Sequence, residues 1–144
     1  MKLGLGIWGP LSARGLAIAG IVYLLDQASK YWLLHVFGLE ERQPVVLAPF
    51  LDLVLLWNRG VSYSLFESNM QWVLITVSIL ISAVLWSWLA KTARNGAATG
   101  LALIIGGALA NATDRVIYGA VADFVHFFWG DFHWYVFNIA DCAI

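Results

Sequence analysis

The sequence predicts an all-α membrane protein, a four-helix transmembrane bundle with its fourth helix truncated at the C-terminus and a small extracytoplasmic β-sheet. Three observations carry that expectation. Apolar residues make up 61% of the 144 residues and charged residues only 12%, with a mean hydropathy of +0.78, well away from the composition of soluble globular domains. Long apolar runs are flanked by Lys2, Arg14, Lys91 and Arg94 with no acid beside them. Of the fourteen residues from Phe124 to Phe137, eight are Phe, Trp or Tyr, a composition suited to a membrane-water boundary, where amphipathic rings settle among the headgroups.

The basic flanks orient the chain. Under the positive-inside rule the N-terminus and the Lys91 to Arg94 turn face the cytoplasm, and the acid-bearing loops face the other side. The first span is expected at 16–37, long enough at 1.5 Å per residue to cross a hydrocarbon core of about 30 Å. Lys2 and Arg14 before an apolar run resemble a secretory signal, but the cleavage-like Ala17-Ile18-Ala19 lies inside the run, so the segment is expected to remain as a span. Asp26 and Lys30 lie within it at i, i+4 spacing, on one helix face where each neutralises the other or reaches a neighbouring span.

The segment from Gly38 to Asn69 is mixed in polarity, and Pro44 and Pro49 argue against helix there. Phe50 to Trp57 is short and bulky, which suits a strand better than a span. Asn58-Arg59-Gly60 interrupts it with turn chemistry, Ser62-Tyr63-Ser64 follows with alternating polarity, and the expected sheet covers 50–66. Spans two and three are expected at 70–90 and 97–117, joined by a turn through Asn95-Gly96. The third is rich in Gly and Ala, including Gly100, Gly106, Gly107, Ala108, Ala110 and Ala112; small residues let helices approach closely in lipid, which marks it as the central helix. Its end carries Asn111 and Asp114 on one face, and Arg115, which either pins a carboxylate or lipid phosphate or snorkels to the interface. A fourth span starts near Phe137, but the eight residues to Ile144 make only about 12 Å of helix. Either that helix is cut short or the segment is not a span.

Asp123 and Asp141, eighteen residues apart with the aromatic stretch between them, read as one catalytic pair. Ionisable groups near lipid are costly and therefore functional suspects. Two neighbouring carboxylates cannot both ionise easily, so near neutral pH they share one proton and supply an acid and a base together. His35, His126 and His133 lack zinc-site spacing, and read as solvated or interfacial; no metal and no cofactor are expected. Cys142, the only cysteine, reads as a small apolar filler. Rival readings are a proton relay through Asp26, Asp114, Asp123 and Asp141, a non-enzymatic binding subunit, and a thiol protease using Cys142 with His126 or His133.

Five blocks carry a specific resemblance: Asp26-Gln27-Ala28-Ser29-Lys30, Asn58-Arg59-Gly60, the run from Gly106 to Arg115, Val121-Ala122-Asp123-Phe124 and Phe137-Asn138-Ile139-Ala140-Asp141. Together, in order over nearly the whole chain, they resemble the lipoprotein signal peptidases, the bacterial signal peptidase II enzymes. The resemblance implies a four-helix inner-membrane aspartyl protease that cuts prolipoproteins on the N-terminal side of a lipid-modified cysteine, with Asp123 and Asp141 as catalytic aspartates. Asp26, Lys30, Asn58, Gly60, Asn111, Asp114, Arg115, Asn138 and Ala140 fall on motif positions that support the site or bind substrate. Ala110 replaces a common Gly, Cys142 a usual Ser or Thr, and Val61-Ser62-Tyr63 a smaller Ala-rich step. The expected arrangement is one integral-membrane peptidase domain over 1–144, monomeric, with its active site towards the periplasm. Its expected partners are a diacylated prolipoprotein and membrane lipids, with no nucleic acid.

Overall fold

The computed structural model describes residues 6–60 and 67–144, the side chains of 67–69 excepted. Its elements in chain order are α1 (Ser12–Tyr31), continued by a π-helical turn over Trp32–Val36, α2 (Leu39–Arg42), β1 (Val45–Ala48), β2 (Leu51–Asn58), α3 (Glu67–Lys91), α4 (Asn95–Tyr118), β3 (Val121–Trp129), β4 (Phe132–His133) and α5 (Ile139–Ala143).

Among the described residues, α3 from Met70 to Lys91 and α4 are the helices long and apolar enough to cross a membrane. The most apolar stretch of α3 is only 22% buried, with Trp72, Val73, Val77, Leu80, Val84 and Trp88 all exposed. A helix apolar on every side yet largely uncovered by protein is matched to lipid rather than to a soluble core. In the interior the polarity is inverted: Asp26, Lys30, Asn111, Asp114, Asp123 and Asn138 are all buried. The apolar-in, polar-out rule of water-soluble domains runs backwards here.

α4 is the helix around which the others gather, touching α1, α3, α5 and β3. Glycine makes this possible at two points. A Cβ on Gly106 would lie 2.6 Å from the Ala19 carbonyl oxygen of α1, and one on Gly107 would lie 2.6 Å from the Ala140 carbonyl oxygen of α5. Both helices thus approach α4 with their backbones, as small residues permit. At the opposite end from the site, Arg14 of α1 donates to Asn95 Oδ1 at 3.1 Å and Thr99 Oγ1 at 3.3 Å, tying the starts of α1 and α4 together. α4 begins at Asn95 itself, so the expected turn through Asn95-Gly96 is instead the first turn of the helix, and the connection is 92–94.

The sheet differs from expectation in extent. It is antiparallel, ordered β1-β2-β3-β4. Its second strand is the one expected near Phe50 to Trp57, but its last two strands, β3 and β4, come largely from the aromatic stretch that composition marks as a headgroup belt. β3 pairs with β2 in the register Leu51↔Phe127, Asp52↔His126, Leu56↔Asp123 and Asn58↔Val121. The strand expected at Ser62-Tyr63-Ser64 lies outside the described residues. The sheet rests on the end of α1 through Leu33, Leu39 and Phe124, with Phe37, Leu53, Leu55 and Ile139 packed around them. The C-terminal helix starts at Ile139, two residues later than Phe137, because Asn138 is its N-cap.

Candidate active site

α1, α4, β2, β3 and the start of α5 converge on one buried polar knot. It begins with charge. Lys30 Nζ lies 2.7 Å from Asp26 Oδ2 and 2.6 Å from Asp114 Oδ2, with all three side chains no more than 1% exposed, and 3.3 Å from Asn111 Oδ1. The i, i+4 pairing of Asp26 with Lys30 is therefore half of a three-member bridge between α1 and α4. A lone buried charge is severely penalised, and a buried pair survives only if its remaining lone pairs are satisfied. Those of Asp26 and Asp114 are satisfied: Asp26 Oδ1 accepts the Ala140 backbone N–H at 2.8 Å, Asp114 Oδ1 accepts Gln27 Nε2 at 2.9 Å and Asp114 Oδ2 accepts the Ala122 backbone N–H at 3.1 Å. Asp26 thus holds the first turn of α5, whose orphan N–H groups and positive dipole end favour an anion, and Asp114 holds the start of β3.

That scaffold places the two remaining carboxylates. Asp123 is on β3, 1% exposed; Asp141 is in the first turn of α5, exposed. Asn138 links them. Its side-chain amide donates to Asp123 Oδ1 at 2.7 Å, its backbone N–H donates to Asp141 Oδ2 at 3.1 Å, and its side-chain oxygen accepts the Asp141 N–H at 2.9 Å. The last two bonds form a reciprocal capping box, in which the helix terminus fixes the orientation of its own acid. Two further amides complete the set, Asn58 Nδ2 donating to Asp123 Oδ2 at 3.1 Å and Asn111 Nδ2 donating to Asp141 Oδ1 at 3.0 Å. Each oxygen of each carboxylate accepts a hydrogen bond from an asparagine.

The positions of these asparagines follow from local structure. Asn58 sits opposite Val121 in the β2–β3 register, so Asp123 is its diagonal neighbour on the same face, within reach of an amide. Gly60, at φ +89°, turns the chain back so that its N–H donates to Asn58 Oδ1 at 2.8 Å, leaving the Asn58 NH₂ for Asp123. A left-handed φ of this size favours glycine. Asn111 Oδ1 accepts both Lys30 and Asn138 Nδ2, the latter at 3.1 Å, and joins the charged knot to the dyad.

Burial raises the pKa of Asp123 from 3.8 to about 6. The hydrogen bond from Asn58 opposes that rise, the nearby charge of Asp141 adds to it, and Asn138 and the more distant Lys30 oppose it. Desolvation disfavours the ionised form, as does a like charge, whereas donors to the carboxylate favour it. A carboxyl poised near neutrality beside a second carboxylate is what acid-base chemistry at ordinary pH requires.

Most of the residues expected at the site meet here: Asp26, Lys30, Asn58, Gly60, Asn111, Asp114, Asp123, Asn138, Ala140 and Asp141. Arg115 joins them, lying in the field of Asp114, Asp123 and Asp141 and donating to the Asn111 carbonyl at 3.4 Å. Gln27, which bridges Asp26, Asp114 and the Ala110 carbonyl, carried no assignment; an amide next to Asp26 in an apolar run was the available signal. Two of the histidines meet in the sheet. His126 is only 16% exposed at the side chain and its Nδ1 lies 2.8 Å from Asp52 Oδ1, while its Nε2 lies 3.2 Å from His133 Nδ1. The two rings stack at 5.2 Å between centroids, with His133 exposed. Cys142 Sγ contacts the Asn138 carbonyl at 3.5 Å, away from that histidine pair, and the acids of a proton relay are divided, since Asp26 and Asp114 are both held by Lys30.

A helical fold with two long apolar helices, an antiparallel sheet at one end and an asparagine-held pair of aspartates defines a membrane enzyme of the aspartic type. The comparisons agree. The signal peptidase (SPase) II family profile matches residues 18–144. The lipoprotein signal peptidase of Methylobacterium sp. (strain 4-46) is 51% identical over 90% of this chain and 81% of its own length. That of Beijerinckia indica subsp. indica is 49% identical over 94% and 82%. Two solved bacterial membrane enzymes superpose with TM-scores of 0.76 and 0.75 at 25% and 27% identity, each over 91% of this chain and over 80% and 84% of theirs. The chain belongs to the signal peptidase II family and is an aspartic endopeptidase.

Proposed function

We propose that Asp123 and Asp141 are the catalytic dyad with which this peptidase removes signal peptides from diacylglyceryl-modified bacterial prolipoproteins, cutting on the N-terminal side of the lipidated cysteine. The observation that carries the assignment is the asparagine frame: Asn58, Asn111 and Asn138 supply the donors to both carboxylates. An amide orients a carboxylate without supplying the positive charge that would lock it ionised. The pair therefore shares a proton. The ionised member takes a proton from water, the water oxygen bonds to the scissile carbonyl carbon, and the protonated member donates to the carbonyl oxygen. Collapse of the tetrahedral intermediate breaks the C–N bond as the departing cysteine amine takes up a proton, and the pair returns to its singly protonated form. The dyad titrates as a unit.

The same reading places the chain as one integral-membrane peptidase domain of the inner membrane, with α1, α3, α4 and the start of a fourth helix at α5 forming a four-helix bundle. Arg14, Lys91 and Arg94 mark the cytoplasmic side, and the sheet and dyad lie towards the periplasm. Asp26, Lys30, Asp114, Gly60 and Ala140 hold the frame, and the enzyme acts as a monomer on a substrate that reaches it by lateral diffusion, anchored by its own acyl chains. The test is cleavage of a diacylated prolipoprotein in proteoliposomes. Parent protein is expected to release the signal peptide, and Asp123→Asn and Asp141→Asn are each expected to bind substrate and leave it intact. Substantial cleavage by either folded variant would overturn the assignment.

A further inference from the structure

The Asn58-Arg59-Gly60 turn is held from two directions. Towards the dyad, Asn58 donates to Asp123 Oδ2 at 3.1 Å while its own Oδ1 accepts the Gly60 N–H at 2.8 Å. From α3, the side-chain NH₂ of Gln71 donates to the Arg59 carbonyl at 2.8 Å. Beside the turn lies a cavity of about 670 Å³ between the end of β2, the start of α3 and the end of α4, with Trp57, Arg59, Gln71, Trp72, Arg115 and Tyr118 in its wall. Arg115 lies in the field of Asp114, Asp123 and Asp141, so the cavity is an extension of the active site and not a separate one.

Two polar atoms of that wall are buried without hydrogen-bond partners, Gln71 Oε1 and Arg115 Nε. Gln71 is only 8% exposed, and its amide cannot be turned round, because that would set oxygen against the Arg59 carbonyl oxygen. Buried polar groups in native proteins are nearly always paired. One orphan acceptor and one orphan donor in the same wall match a peptide backbone, which presents one N–H and one C=O per residue. The substrate brings such a backbone here: a scissile bond held at Asp123 and Asp141 carries its flanking residues past the turn that Asn58 and Gln71 share. The ester oxygens of a diacylglyceryl group are acceptors only, and would leave Gln71 Oε1 unpaired.

We propose that Gln71 is a substrate-positioning residue of this peptidase, an assignment that rests on the function proposed above. Its Oε1 accepts a backbone N–H of the prolipoprotein beside the scissile bond, and the Arg115 Nε–H donates to a neighbouring backbone carbonyl. Its NH₂ meanwhile keeps the turn that aims Asn58 at Asp123. One side chain thus joins the grip on the peptide to the orientation of the dyad, and hydrogen bonds made in such a chain strengthen one another.

A diacylglyceryl-cysteine peptide spanning the cleavage site, N-methylated at one amide at a time on either side of the scissile bond, tests it. Equilibrium binding is measured with Asp141→Asn protein, kcat and KM with the parent, and both again with Gln71 changed. Methylation at one amide is expected to weaken binding about tenfold and to raise KM by as much, the worth of one hydrogen bond, with kcat nearly unchanged. Gln71→Met is expected to bind the unmethylated peptide about tenfold more weakly and to be indifferent to methylation at that amide, the non-additivity that marks a direct contact. Gln71→Glu keeps the acceptor and gives up the NH₂, so it is expected to retain the sensitivity while kcat falls about tenfold as the Asn58 turn loosens. A scan with no such amide, equal sensitivity in folded Gln71→Met, or indifference in folded Gln71→Glu overturns the proposal. Should either variant fail to fold, the scan on the parent and the remaining variant decide. A parent that binds and cleaves the peptide with a flat scan loses this assignment alone; one that neither binds nor cleaves it loses the peptidase function as well.

Discussion

Two carboxylate pairs lie within one polar knot, and they are built on different bridging groups. Asp26 and Asp114 meet across Lys30, at 2.7 and 2.6 Å, and all three are no more than 1% exposed. Asp123 and Asp141 meet across Asn138, one buried and the other exposed. A cation fixes its partners as ions and converts their charge into attachment of α1 to α4. An amide fixes only direction, so the charge state of the second pair stays free to change. The same residue type, aspartate, is thereby a rivet in one pair and, in the proposed dyad, a carrier of protons.

The comparison breaks most sharply on the dyad. Asp123→Asn and Asp141→Asn are each expected to lower turnover by about 10³-fold or more, and the double variant to be no worse than either single, because groups acting as one unit are non-additive. Single-turnover cleavage of a diacylated peptide reads this directly. Asp114→Asn is the counterpart: it is expected to reduce the yield of folded protein while turnover per folded molecule stays within about tenfold. Loss of turnover there, with activity kept in Asp123→Asn, would exchange the roles of the two pairs.

Lys30→Met is the next largest expected effect. It leaves two buried carboxylates facing each other, and removing one partner of a buried ion pair costs about 3–5 kcal/mol. Thermal unfolding in detergent should show a lowered midpoint. An unchanged midpoint would mean that the knot is not held by charge.

A smaller effect separates orientation from charge. The hydrogen bond from Asn58 holds the Asp123 pKa down against burial; Asn58→Ala therefore raises it. In the parent, kcat/KM is expected to fall as pH rises through about 6, where the dyad loses its shared proton. In Asn58→Ala that limb is expected to move to higher pH, with kcat reduced about 10-fold through lost positioning. A limb that moves to lower pH, or not at all, would show that Asn58 does not tune Asp123.

The smallest effect is thermodynamic. Since the folded pKa of Asp123 lies above its ordinary value, at about 6 against 3.8, the folded state binds more protons over that interval. The stabilisation from neutral Asp123 is complete below the ordinary value and is lost as pH rises through the folded one. Asp123→Asn does not titrate, so its stability relative to the parent should climb by about 1–3 kcal/mol between acid and neutral pH. The absolute offset is not diagnostic, because the Asn side chain must turn a donor towards Asn58 or Asn138; the pH dependence is.

Much was legible before any coordinates. Composition and flanking charge marked a membrane protein, the i, i+4 spacing marked Asp26 with Lys30, the glycines marked α4 as the helix others approach, and two acids in an aromatic setting marked Asp123 and Asp141, which Asn138 links in the structure. Each of these is a local or compositional signal. β3 and β4 were not legible, because eight aromatics in fourteen residues hide any alternation, and a strand is recognised by its partner. Here that partner is Leu51–Asn58, some seventy residues earlier in sequence, as in Asp52↔His126. Non-local pairing leaves no period in either segment alone.

The sequence by itself determined the solvent this chain is made for, the helix that others pack on and the two acids proposed to carry the chemistry, since apolar excess, small-residue faces and ionisable side chains act through the residues themselves. Only the tertiary structure decided how each pair of acids is held. That depends on what stands between them, Lys30 or Asn138, and the choice was made by bringing α1, α4, β3 and α5 to one point where burial and hydrogen bonding act together.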